Sequence, residues 1–140
     1  MVDGGYTGKI SKVNAELLTL LISNGYFPVV APVAVSEAFE PLNVDGDRAG
    51  AYIAGSLKAN RLVLLTDVEG IILNGKSVPR MTLSEAKDRL HEVGAGMITK
   101  VYAAMEALEM GIDEVVVCSG VRKHPISSAL ARESGTVIVR

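Results

Sequence analysis

Positions 61–66 read Arg-Leu-Val-Leu-Leu-Thr, with nothing polar between the two ends. Successive side chains of an extended chain point to opposite faces, so four aliphatic residues in a row need cover on both sides. That is the condition of an interior strand in a parallel sheet, whose crossover helices supply the cover. Residues 113–118 (DEVVVC) repeat the pattern. Helical periodicity lies between the two runs: residues 82–93 open with Thr82 and Glu85 at capping-box spacing, and Ile98, Val101, Met105 and Leu108 recur until Gly111. Residues 45–60 carry Ala49, Ile53 and Leu57 on one stripe, with Gly50, Ala51, Ala54 and Gly55 small enough for close packing on a sheet. Residues 11–24 read as a helix stopped by Gly25. Residues 27–35 read as a strand with an interrupted exit, because Pro28 and Pro32 cannot donate to a ladder. An excursion over 36–41, a loop over 67–81 with Gly70, Gly75 and Pro79, a helix over 127–132 behind Pro125 and a last strand over 136–139 complete the reading. Alternating strand and helix predicts one α/β domain over residues 1–140, a three-layer α/β/α sandwich with a mainly parallel sheet. The chain opens in a Gly-rich turn over residues 3–8, as the second part of a larger fold would.

Composition removes several classes of function. With 49% hydrophobic and 21% charged residues in 140, the chain has the makings of a packed core, not of a disordered segment. Fourteen Lys and Arg against sixteen Asp and Glu give a net charge of −2, which leaves no basic field for nucleic acid. The longest apolar stretch, residues 26–35, is interrupted twice by proline and falls short of the ~20 residues that span a bilayer. A single cysteine, Cys118, and no signal-like opening predict a cytoplasmic protein. Aromatics at 4% and fourteen glycines predict an aliphatic core with close backbone approach.

Three constellations carry chemistry. Asn43-Val44-Asp45-Gly46-Asp47 stands at a helix start, where Asp45 as N-cap and Asp47 in the first turn would each stabilise, by about 1 kcal/mol for a good cap. Capping needs one of these side chains; a second carboxylate can orient a lysine, and Asn43 can hold a substrate amide or carboxylate. Thr66 and Asp67 sit at a strand's carboxyl end, followed by Gly70, where open parallel sheets bind ligands; an ordinary turn is the alternative. In Gly94-Ala95-Gly96-Met97-Ile98-Thr99-Lys100 two glycines free the backbone and a helix start offers unpaired N–H groups, an anion site in outline. Lys100 in that first turn opposes the helix dipole by roughly 0.3–1 kcal/mol. A phosphate or a carboxylate such as Asp47 would compensate, and a solvated lysine is the plain alternative. His91 reads as solvated, His124 as a helix cap and Cys118 as buried and inert; none has metal-ligand spacing, and no catalytic triad or P-loop occurs.

The order NVDGD, LVLLTDVEGI, GAGMITKVYAAMEAL, running from GKISKVN to SGTVIV, resembles the amino acid kinase family. Within it the likeness is to acetylglutamate kinases and to kinases of aminoadipate or glutamate attached to an amino-group carrier protein. The resemblance implies that Asn43 contacts substrate and that Asp47 organises the catalytic lysines. It gives Thr66, Asp67, Gly70, Ile71 and Ile72 to ATP, places Val93, Gly94 and Gly96 on its border, and has Lys100 stabilise the transferring phosphoryl group. ATP with Mg2+ held mainly through phosphates, a homo-oligomeric full-length enzyme, and acyl-phosphate formation in lysine or arginine biosynthesis follow from the same likeness. The family's Lys-x-Gly-Gly strand end and second Gly-Gly turn are absent, so the chain looks like a C-terminal, ATP-binding half that binds nucleotide without turnover. Free acetylglutamate as acceptor, a uridylate or carbamate kinase, and a non-catalytic nucleotide-binding or oligomerising module are the alternatives. Gly8-Lys9 and Lys12 favour the carrier-linked acceptor, since paired lysines would steer an acidic carrier; two solvated lysines are the simpler account.

Overall fold

The computed structural model describes residues 5–140; residues 3 and 4 of the expected Gly-rich turn lie outside them. The chain runs α1 (Ala15–Ser23), β1 (Val33–Val35), β2 (Pro41–Asn43), α2 (Gly46–Ser56), β3 (Arg61–Thr66), β4 (Ile72–Leu73), β5 (Lys76–Ser77), β6 (Arg80–Thr82), α3 (Leu83–Asp88), a 3-10 turn (Leu90–Glu92), α4 (Ala95–Glu109), β7 (Glu114–Ser119), α5 (Pro125–Leu130) and β8 (Thr136–Val139). The main sheet has the order β3-β7-β8-β6. Arg61 to Thr66 pair in parallel register with Glu114 to Ser119, and β6 is parallel to β8. β7 and β8 are antiparallel, so the sheet is mixed, with two parallel pairings of three.

Both continuous apolar runs are strands, and β7 is buried at every position. Its side chains alternate as the pleat requires. Val115 and Val117 enter the larger core with Ala51 and Ala54 of α2, Ala86 of α3, and Val101, Ala104 and Leu108 of α4. Val116 and Cys118 enter a smaller core with Ala129 of α5. The expected three layers are therefore present, with α2, α3 and α4 on one face and α5 alone on the other. Of the small residues expected to pack α2 on a sheet, Ala51 and Ala54 are buried while Gly50 and Gly55 are half-buried, and α2 packs chiefly on α4, where Ala103, Ala104 and Ala107 are fully buried. Glu114, buried at the start of β7, is neutralised by Arg61 and Arg132, and Arg61 also donates to the Leu130 carbonyl at 2.8 Å, tying α5 to the sheet.

Four expectations need correction. The strand over 27–35 shrinks to Val33–Val35, because the two prolines withhold donors and the chain bends at Pro32. The helix over 82–93 keeps its Thr82–Glu85 capping box but ends at Asp88, and a 3-10 turn takes over. The loop over 67–81 contains the hairpin β4–β5 and the edge strand β6. His124 has φ 55° and its side chain makes no capping bond, so α5 starts on Pro125 alone.

Candidate phosphate site at the start of α4

The polar residues around Asp45 divide their tasks. Asp45 is the N-cap of α2, accepting the Arg48 N–H at 2.9 Å. Asp47, in the first turn of α2, faces α4 and receives the Lys100 ammonium on both carboxylate oxygens, each at 2.9 Å. The two side chains are 23% and 16% exposed, enough shielding for a durable pair and enough opening to reach a ligand. Arg48 grips Glu106 with two guanidinium nitrogens, a second tie between the same helices; that bond raises the guanidinium's pKa above its ordinary value. Asn43 is exposed, its backbone bonded to Tyr6 and Gly8, and its side-chain amide has no partner among the described residues.

Helix α4 begins directly after Gly94, earlier than expected, so Gly96 lies inside it and Lys100 is its sixth residue, in the second turn. The dipole penalty anticipated for Lys100 is correspondingly small, since the effect fades beyond the first turn. Asp47 compensates the charge in any case. No side chain caps α4, and its first two residues, Ala95 and Gly96, whose N–H groups have no partner among the described residues, line a cleft of about 390 Å³. The cleft is lined by Thr66, Asp67, Gly70, Ile72, Gly94 and Gly96, joined by Val68, Ala95 and Met97, which sequence reasoning did not single out. Lys100 stands roughly 6 Å further along the helix axis than Gly96. Ile71 does not line the cleft: its side chain is fully buried in the core. Val93 packs partly buried against that core.

Gly94 is the N-cap of α4, a position that favours glycine, whereas Gly96 inside the helix has no internal reason to be glycine. A methyl group at Gly94 or Gly96 would meet nothing within 4 Å, and neither has positive φ. Glycine inside a helix costs about 0.5–1 kcal/mol relative to alanine, so the bare backbone is a cost that packing does not explain. Opposite them, the loop after β3 is held by Thr136, whose fully buried hydroxyl accepts the Ile71 N–H at 2.8 Å and donates to the Val78 carbonyl at 2.5 Å. Gly70 approaches so closely that a Cβ there would lie 2.7 Å from the same hydroxyl. The spacing of Thr136 carried no signal for this, because its partners are about 60 residues away. Among the described residues no group of three His, Cys, Asp or Glu side chains could hold a metal ion. Among the described residues no helix is long and apolar enough to cross a membrane.

Comparison with known proteins sets this geometry in a family. A LysW-aminoadipate/LysW-glutamate kinase from Saccharolobus islandicus is 44% identical over 140 residues, covering 99% of this chain and 53% of that protein. The chain thus spans about half the length of the curated relatives it matches. Among solved structures, N-acetylglutamate synthase from Neisseria gonorrhoeae, complexed with coenzyme A and N-acetyl-glutamate, superposes with a TM-score of 0.90 at 26% identity, covering all of this chain and 34% of that one. Carbamate kinase from Giardia lamblia bound to AMP-PNP shares the fold, with a TM-score of 0.74 at 22% identity over 93% of this chain and 45% of that one. The amino acid kinase family profile matches residues 2–119, and the chain belongs to the amino acid kinase family.

Proposed function

We propose that this chain is the ATP-binding half of a kinase that converts a side-chain carboxylate of 2-aminoadipate or glutamate, carried on an acidic carrier protein, into an acyl phosphate. The observation that carries the reading is the joint placement on α4 of the open glycines at its start, Gly94 and Gly96, and of Lys100, which Asp47 of α2 holds. The N–H groups of its first turn would hold the β- and γ-phosphates in the cleft, with Thr66, Asp67 and Ile72 along the nucleotide's other side. Mg2+, a hard cation that keeps most of its waters, would be carried by phosphate oxygens and supply charge neutralisation there. Lys100, kept charged and aimed by Asp47, would meet the negative charge that moves as the phosphoryl group transfers. The acceptor carboxylate is already ionised at neutral pH, so the site needs alignment and positive charge and no general base.

The acceptor assignment is supported by the name of the Saccharolobus relative and by the exposed Lys9 and Lys12, which follow Gly8, whose N–H donates to the Asn43 carbonyl. An acidic carrier would be drawn to those lysines, and its association would weaken with salt.

The two roles of glycine at position 96 have opposite signs in one variant. With open space around its new methyl, Gly96→Ala should raise the melting temperature by a few degrees, the helix-propensity gain for a domain of this size. If phosphate approaches that backbone, the same variant should weaken Mg-ATP binding at least tenfold by calorimetry. A variant that is more stable and binds ATP as well as the parent chain would remove the phosphate from this helix.

A further inference from the structure

One buried side chain joins the far end of the chain to the cleft. Thr136, the first residue of β8, lies past residue 119, where the match to the family profile ends, and it is fully buried. Its hydroxyl works in both directions, accepting the Ile71 N–H at 2.8 Å and donating to the Val78 carbonyl at 2.5 Å. The next residue of β8 extends the hold, since the Val137 N–H donates to the Pro79 carbonyl at 3.0 Å. The segment that leaves the cleft at Gly70 and returns at Pro79 is thus fastened at both ends to the start of one strand.

The bond to Ile71 also orients the peptide group before it. The peptide linking Gly70 to Ile71 is trans, so its carbonyl and its N–H point in opposite directions. With the N–H turned to Thr136, the Gly70 carbonyl is turned away from β8, and it accepts no hydrogen bond from the described residues. Gly70 lines the cleft and lies on Thr136 so closely that no side chain fits between them. A backbone acceptor without a partner, on a residue that lines a ligand cleft, suits a donor group of the ligand. The phosphates of Mg-ATP offer no donor, whereas the nucleoside carries ribose hydroxyls and an amino group.

We infer that Thr136 is a positioning residue for nucleoside binding: by holding the Ile71 N–H, its hydroxyl presents the Gly70 carbonyl to a hydroxyl or amino donor of the nucleoside. Thr136 touches no ligand itself. The inference rests on the proposed nucleotide site and adds to it a residue behind the cleft wall, one that sets the affinity for the nucleoside and leaves the affinity for the phosphates unchanged.

Calorimetric titration of the chain and its variants with Mg-ATP and with Mg-tripolyphosphate, which carries phosphates without a nucleoside, tests this. Expected for Thr136→Val is an ATP affinity at least about fivefold weaker, the scale of one hydrogen bond, with tripolyphosphate affinity unchanged. Thr136→Ser, which keeps the hydroxyl, should restore ATP binding. Val116→Ala, in the small core on the sheet face away from the cleft, controls for lost stability: its melting temperature should fall while both affinities stay at the parent's values. If Thr136→Val does not fold, Thr136→Cys takes its place with the same direction expected, because a thiol is a weak donor and acceptor. ITP, which keeps the ribose and lacks the amino group, separates the two donors: loss of affinity for both nucleotides puts a ribose hydroxyl at Gly70, and loss for ATP alone puts the amino group there. Equal ATP affinity in Thr136→Val and the parent overturns the inference. A matching loss for tripolyphosphate also overturns it, since the whole cleft has then loosened, as does a parent chain that binds tripolyphosphate as tightly as ATP. A parent chain that binds neither ligand refutes the phosphate site, and this inference falls with it.

Discussion

Removing Lys100 and Asp47 singly and together would measure how firmly α2 and α4 present the lysine. At about 4 Å between charge centres, the Coulomb attraction is of order 4 kcal/mol at the effective dielectric of a protein surface region. Desolvation offsets much of it, and the pair, with both partners about four-fifths shielded, lies between exposed pairs worth 0.2–1 kcal/mol and buried ones whose disruption costs roughly 3–5 kcal/mol. A coupling energy of about 1–2 kcal/mol is therefore expected between Asp47→Asn and Lys100→Met. The single variants should differ. Asp47 also sits in the first turn of α2, where a carboxylate gains roughly 0.3–1 kcal/mol from the helix dipole, so Asp47→Asn should destabilise more than Lys100→Met by about that amount. Urea unfolding of the four proteins, with unchanged m-values, gives the cycle directly. A coupling below about 0.3 kcal/mol would refute the claim that the carboxylate holds the lysine, and with it the positioning role assigned to Asp47.

Three further outcomes follow from particular contacts. Gly135→Ala should cost more than about 2 kcal/mol by thermal unfolding, because φ is 91° and the added carbon would lie 2.5 Å from the Val117 carbonyl oxygen; a loss under 1 kcal/mol would show that the backbone yields there. Thr136→Val should cost about 2–4 kcal/mol and speed exchange of the Ile71 amide, since one substitution strands a buried N–H and a partly buried carbonyl, while Thr136→Ser should recover most of it. The Thr82 backbone N–H and hydroxyl hold Glu85 below the usual carboxylate range, so its stabilising effect is complete above pH ~4.3 and lost as the pH falls through the lower folded value. Chemical unfolding at pH 5 and pH 3 should show a steeper acid loss in the parent than in Glu85→Gln, and equal losses would remove the capping box as a source of acid sensitivity.

What the sequence revealed and what it hid differ in range. The runs at 61–66 and 113–118 were legible because continuous apolarity has one structural meaning at that length. The Thr82–Glu85 box was legible because both partners lie within one turn. The antiparallel setting of β8 was not, since alternation reports the face of a side chain and not the direction of its strand. The β4–β5 hairpin did have a local signal: Asn74-Gly75, both at positive φ, is the favoured two-residue turn between short strands. The Asp47–Lys100 pairing could be anticipated as a need for counter-charge, but its geometry depends on how α2 crosses α4. The Arg48–Glu106 tie beside it had no sequence signal, its partners being 58 positions apart.

The central claim is that the start of α4 and the end of β3 form a phosphate site, and residue-resolved NMR titration of the isotope-labelled chain with Mg-ATP tests it most directly. Saturable shifts are expected at the amides of Ala95, Gly96 and Met97 and at Asp67 to Gly70, with a weaker response in Lys100→Met and quiet amides in α1 and α5. No saturable shift at millimolar ATP, or shifts centred on α1, would contradict it.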